Sequence, residues 1–228
     1  MHIKVLGPIE VTEEGRVIRL TGQRQRALLA ALALDLGNIV PVTRLIDVLW
    51  GDSPPVTARA KVQAHVSALR QAIGHRGRSA DEPLLTCPPG YVLGPQGVEL
   101  DLAEFEALMT RAWVAAGSGD RAAASGLFAA ALALWRGPAF ADVASPAIRA
   151  AAAVLEERRL LVVEAKAVAD LALGRCETVA AQLPDTGPPG TGPPGTGPAG
   201  TGPAGGRECE MAGSRRSRLA AHEHPAAT

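Results

Sequence analysis

PPVTARAKVQAHVSALRQAI, residues 54–73, decides the fold. Val62, Val66, Leu69 and Ile73 recur at spacings of four, three and four. That spacing keeps one face of a 3.6-residue helix apolar, so the stretch predicts a helix with a single buried stripe. From Ser53 to Ala80 there is no Asp or Glu, while Arg59, Lys61, Arg70, Arg76 and Arg78 are all basic. Stepping about 100° per residue from Val62 puts Ala60, Ala64, Ser67, Ala68 and Gln71 on the outer face. Lys61 and Gln63 flank that face, Arg70 sits near its boundary with the stripe, and Arg59 falls in register with the stripe. Such a helix can lie in the major groove of DNA, its small side chains letting the axis approach the bases. A small-residue face also suits a helix that packs on another helix.

The surrounding chain turns this helix into a motif. Upstream, His2–Leu6 and Ile9–Thr12 are β candidates interrupted by Gly7-Pro8, and Val11–Leu20 reads as a hairpin turning at Glu13–Arg16. Gln23–Leu36 predicts a helix with Leu28, Leu29, Leu32 and Leu36 on one face. Gly37-Asn38 stops it, and Ile39–Val42 is briefly extended. Thr43 can N-cap a second helix that ends at Gly51. Ser53 or Thr57 can cap the third, with Pro54 and Pro55 tolerated in its first turn, and Gly74 terminates it. Leu84–Thr86, Pro88-Pro89-Gly90 and Tyr91–Leu93 read as a second hairpin. A sheet, three helices and a hairpin, in that order, make a winged helix-turn-helix.

These residues carry a family resemblance. QRALLAALAL, VTRLIDVLWGDSPP, KVQAHVSALRQAIG and LLTCPPGYVL, in that order, resemble the winged-helix domain of the Streptomyces antibiotic regulatory protein family, transcriptional activators whose DNA-binding domain is similar to that of OmpR-class response regulators. The resemblance covers residues 1–98. It implies that the third helix enters the major groove and that the hairpin wing reaches the minor groove. Lys61, Gln63, Ala64, Ser67 and Ala68 would then meet base edges, Gln63 suiting adenine, Lys61 guanine and the alanines a thymine methyl. Arg26, Trp50, Arg70 and Thr86 match positions that contact phosphate, although core packing accounts for Trp50 equally well. The family commonly carries arginine where this chain has Ala68 and Cys87, and both departures remove a cation.

Residues 100–183 read as helical throughout, with turns at Gly117–Asp120 and Gly137-Pro138 and a long helix opening at Ser145-Pro146. ALALWRGPAFADV (131–143), LEERRL (155–160) and DLALGRCETVAAQL (170–183) resemble the bacterial transcriptional activation domain that follows the winged helix in the same family. Its Ala-rich hairpins are tetratricopeptide-like, though a 34-residue repeat is not established. The family continues with further hairpins; here TGPPG and TGPAG repeats follow from Thr186. Glycine every fifth residue cannot form a collagen helix, which needs it every third. The expected organisation is a winged helix at 1–98, a partial activation domain at 99–183 and a disordered Gly/Pro-rich tail at 184–228. An incomplete helical array exposes a face, which would leave it marginally folded or able to form a homodimer.

Charge adds a modest argument. Lys and Arg outnumber Asp and Glu by eleven to eight in residues 1–98, and the ratio reverses to eight against eleven in 99–183, although the whole chain is neutral. The asymmetry fits a nucleic-acid reader joined to something else. Cys87, Cys176 and Cys209 are odd in number and far apart, without zinc-ligand or disulfide spacing. No Ser/His/Asp, paired-carboxylate or phosphate-loop pattern occurs, so neither an enzyme nor a cofactor is expected. The N-terminus lacks a signal-peptide core, and the expected setting is cytoplasmic, without a membrane. The resemblance implies double-stranded DNA, as direct repeats near promoters, and RNA polymerase as partners. A helical protein–protein adaptor and a truncated DNA-bound repressor are the alternatives.

Overall fold

The computed structural model describes residues 1–73 and 83–177. Gly74, Arg76 and Arg78, the helix expected from Thr178 and the Gly/Pro-rich tail lie outside the described residues. Residues 1–184 make one compact unit.

A four-stranded sheet opens the chain. Strands β1 (His2–Lys4), β2 (Glu10–Glu13) and β3 (Arg16–Ile18) form an antiparallel meander. Its tight turn is Glu14-Gly15, both at positive φ. The fourth strand, β7 (Glu99–Leu100), pairs parallel to β1 and was not anticipated. It lies one residue past the boundary expected at 98, so the chain returns to its first sheet as the helical region begins.

Helix α1 (Gln23–Leu34) ends two residues before the expected Leu36, and it differs from the one-faced helix that the leucines suggested. Ala27 to Ala33 are all buried, because the helix runs through the middle of the winged helix. A helix apolar all round is the pattern of a central element. Helix α2 (Val42–Trp50) starts one residue before Thr43, with Pro41 rather than Thr43 at its N-cap. Helix α3 (Ala58–Ala72) begins later than the sequence suggested; Pro54–Thr57 belong to the preceding turn, and Thr57 makes no side-chain cap. Its stripe is as expected: Val62, Val66, Leu69 and Ile73 are each at most 5% exposed. Burying such side chains stabilises by roughly 1.5–3 kcal/mol each as an upper estimate.

The wing is β5 (Leu84–Cys87) paired with β6 (Gly90–Leu93), and β6 also pairs with the short β4 (Val40–Pro41). Gly90 is required where β6 pairs with β4, because a Cβ there would overlap the Val40 carbonyl.

Helices α4 (Asp101–Gly117), α5 (Arg121–Ala133) and α6 (Pro146–Ala172) form the second half. Asp120 caps α5 by accepting the Ala123 N–H. Phe105 and Phe128 are fully buried, and Phe105 meets Trp135 edge to face, as Phe128 meets Trp113. Between α5 and α6 the buried Asp170 accepts from the Ser125 hydroxyl and from Lys166 Nζ at 2.6 Å. Away from its packed side, α6 exposes Leu160, Leu161, Val168 and Leu171. No helix among the described residues is long and apolar enough to cross a membrane.

The two halves are joined by polar contacts, those of Asp101 buried. The Asp101 carboxylate, 8% exposed at the start of α4, accepts from the Val5 and Leu6 N–H groups at 2.8–3.0 Å. Burial pushes its carboxyl above the ordinary carboxylate range, against the opposing pull of those N–H groups and of Arg136. Backbone N–H groups of Arg136 and Phe140 donate to the Leu6 and Val5 carbonyls. The Arg136 guanidinium donates to the Pro8 carbonyl at 3.0 Å and to Glu10.

Candidate nucleic-acid interface

Along α3 the burial pattern separates two faces. Ala58, Val62, Val66 and Leu69 point into the core, while Arg59, Ala60, Lys61, Gln63, Ala64 and Ser67 are exposed. Ala58 takes the buried place in the first turn, so Arg59, which seemed to share the stripe, stands in solvent. Ala68 is half-buried. Among the described residues, α3 packs on α1 and α2 through its stripe, and its small-residue face is not covered by another helix. The helix-packing alternative for that face is therefore not realised within the described chain.

A basic and aromatic cluster flanks this face. Trp50, the last residue of α2, is half-buried against the core edge, and its ring centroid lies 6.2 Å from that of His65 on α3. Arg24, in the first turn of α1, places its guanidinium 5.6 Å from the Trp50 ring centroid, within cation–π range. Burial, then the positive charges of Arg24 and Lys61, hold the His65 imidazole below its ordinary pKa. Arg24, Lys61 and His65 thus converge from two helices. Arg24 was not among the residues expected at DNA from the sequence. Its basic type at a helix start was the available signal, and its stacking on Trp50 was not readable.

The other residues expected at phosphate are placed differently. Arg26 Nε pairs with Asp142 of the helical half at 3.1 Å, with both side chains 28% exposed. It is committed to the seam between the halves. Arg70 donates from Nε and Nη2 to the Leu84 carbonyl at 3.1 and 2.9 Å, and from Nη2 to the Thr86 hydroxyl at 2.8 Å. Its guanidinium ties α3 to wing strand β5, and Thr86 is its exposed acceptor. The pair braces the angle between helix and wing. Cys87, near the wing tip, is half-buried with a free thiol. Among the described residues no group of three His, Cys, Asp or Glu can hold a metal ion.

A three-helix core with an open third helix and a braced β-hairpin, followed by a helical array, defines a winged-helix transcriptional regulator class. Comparison with known proteins agrees. Residues 15–93 match the family described as transcriptional regulatory protein, C terminal, and residues 100–186 match the bacterial transcriptional activator domain. The chain is 37% identical over 182 residues to the regulatory protein DnrI of Streptomyces peucetius, covering 77% of this chain and 66% of DnrI. It is 36% identical over 176 residues to the regulatory protein AfsR of Streptomyces coelicolor, covering 76% of this chain and 17% of AfsR. A solved structure of Mycobacterium tuberculosis EmbR in complex with a low-affinity phosphopeptide superposes with a TM-score of 0.73 at 36% identity, covering 79% of this chain and 48% of that one. The chain belongs to the Streptomyces antibiotic regulatory protein family, as its sequence motifs implied.

Proposed function

We propose that the chain is a sequence-specific DNA-binding activator of a secondary-metabolite biosynthetic cluster, working in the cytoplasm without a cofactor. In this reading α3 lies in the major groove, with Lys61 and Gln63 reaching base edges and Ala64, Ser67 and Ala68 setting a close approach. Arg24, Arg59 and Trp50 take the phosphate role, and the wing held by Arg70 and Thr86 lies at the minor groove. Direct repeats near promoters are the expected sites, and the helical half is the expected contact for RNA polymerase.

The carrying observation is the solvent-open outer face of α3 beside converging Arg24, Lys61 and His65. The small residues on this face leave few bidentate contacts, so groove shape carries a share of the specificity. Fluorescence anisotropy on promoter duplexes tests the reading. Specific binding whose logarithm falls linearly with the logarithm of salt is expected, and Lys61→Ala weakens it. Salt-insensitive or absent binding would leave the adaptor reading, which the exposed Leu160, Leu161, Val168 and Leu171 of α6 favour. A polymerase-dependent transcription assay separates an activator from a DNA-bound repressor.

A further inference from the structure

The end of α2 receives one of its caps from outside the winged helix. The last four carbonyls of an α-helix lack intrahelical partners. In α2, the Asp47 carbonyl takes the Gly51 N–H and the Trp50 carbonyl takes the Ser53 N–H. The Val48 carbonyl takes the hydroxyl of Ser145, 97 residues further along the chain, at 2.7 Å. Ser145 occupies the N-cap position of α6, where a serine oxygen ordinarily accepts a first-turn N–H. It makes no such bond there. Its hydroxyl is 6% exposed as a residue and turned to α2 instead.

Its neighbours make the same choice. The Ala144 N–H donates to Gln23 Oε1 on α1 at 3.3 Å. Asp142 accepts the Ile9 N–H at 2.8 Å and pairs with Arg26 of α1. Residues 142–145 therefore strap the β1–β2 loop, α1 and the end of α2 together. Trp50 lies two residues beyond Val48, and Arg24, stacked on Trp50, lies next to Gln23. A shallow cleft of about 200 Å³ is lined by Gln23, Arg24, Trp50, Ser145 and Pro146.

We propose that Ser145 is a positioning residue for DNA binding, a proposal resting on the DNA reading above. By capping Val48 it fixes the last turn of α2, and so sets Trp50 and Arg24 in the orientation that meets the phosphate backbone. The helical half then belongs to the DNA-binding apparatus itself, supplying a cap that the winged helix lacks.

The test uses the full chain, with Ser145→Ala and Ser145→Thr, and a duplex recovered by the wild-type chain from a random pool. Ser145→Ala is expected to speed amide exchange at residues 50–53 and to weaken duplex affinity, each by about fivefold, the worth of one hydrogen bond. Ser145→Thr, which keeps the hydroxyl, is expected to restore both. Unchanged exchange in Ser145→Ala overturns the proposal. Faster exchange with wild-type affinity also overturns it, leaving Ser145 a cap without a binding role. A wild-type chain that recovers no duplex instead overturns the DNA reading on which the proposal stands.

Discussion

Two faces of the winged helix put similar residue types to opposite uses. On its open side, α3 exposes alanine, serine and glutamine beside Arg24, Lys61 and Arg59, whose charges face solvent or an aromatic ring. At the seam with the helical half, cations and acids are consumed by the protein itself. Arg26 pairs with Asp142, Arg136 reaches Pro8 and Glu10, and Asp101 is buried on two backbone N–H groups. A basic residue near the start of α1 thus has two fates two positions apart. Arg24 is available to a ligand, and Arg26 is part of the architecture. What separates them is the helical half, whose Asp142 reaches Arg26 and leaves the Arg24 side chain exposed.

The comparison breaks most readily at Asp101. Asp101→Ala leaves the Val5 and Leu6 N–H groups buried without an acceptor. It is expected to cost about 3 kcal/mol, given the penalty for orphaned buried donors of a charge-assisted pair. Urea melts of the full chain measure this, and a loss under about 1 kcal/mol would mean that water reaches the seam. Gly90→Ala acts from the wing side. Its Cβ meets the Val40 carbonyl, backbone against backbone. The β4–β6 pairing must shift, at a cost of about 2 kcal/mol, typical of overpacking. Wild-type stability in that variant would show that the β4–β6 pair opens to admit a methyl group at no cost.

The seam was the part least legible in the sequence. Periodicity marked Val62, Val66, Leu69 and Ile73 as a buried stripe because burial repeats along a helix and leaves a pattern. The wing was legible because two short apolar runs meet at Pro88-Pro89-Gly90. Asp101 left no such mark, since an acid in the first turn of a helix is ordinary there and its partners lie 96 and 95 residues earlier. Strand β7 is two residues long, too short to show alternation. Arg70 was placed correctly near the boundary of the stripe, but helical position gives a direction only. The Leu84 carbonyl and Thr86 hydroxyl that take its guanidinium come from a different element. Side chains with partners distant in sequence were the ones whose partners the sequence could not show, Arg26 and Arg70 among them.

A sharper comparison sets the two arginines of α1 against each other. Arg26→Ala removes a partly screened ion pair and is expected to lower stability by about 1 kcal/mol or less, leaving the salt dependence of DNA binding unchanged. Arg24→Ala and Lys61→Ala are expected to leave stability alone and to reduce the slope of log affinity against log salt by about one each. If Arg26→Ala also reduced that slope, Arg26 would leave Asp142 for phosphate in the complex, and the division between seam and groove face would be lost.

The smallest effect concerns His65, where stability and binding are expected to respond to pH with opposite signs. Its folded pKa lies below the ordinary value of 6.5, through burial and then Arg24 and Lys61. On acidification the unfolded chain takes up the proton first. Stability therefore falls as pH drops below 6.5, and this loss levels off beneath the folded pKa. DNA phosphates beside the same cluster add negative charge and raise the imidazole pKa in the complex. The complex then holds more protons than the free protein, so affinity rises as pH falls across the same interval. Anisotropy titrations between about pH 7 and pH 5 read this as a few-fold gain in affinity while the urea midpoint declines, since histidine titrates in that range. His65→Gln is expected to flatten His65's part of both curves. If affinity were as flat in the wild type as in His65→Gln, no phosphate would approach this side of α3, and the open face would need another ligand.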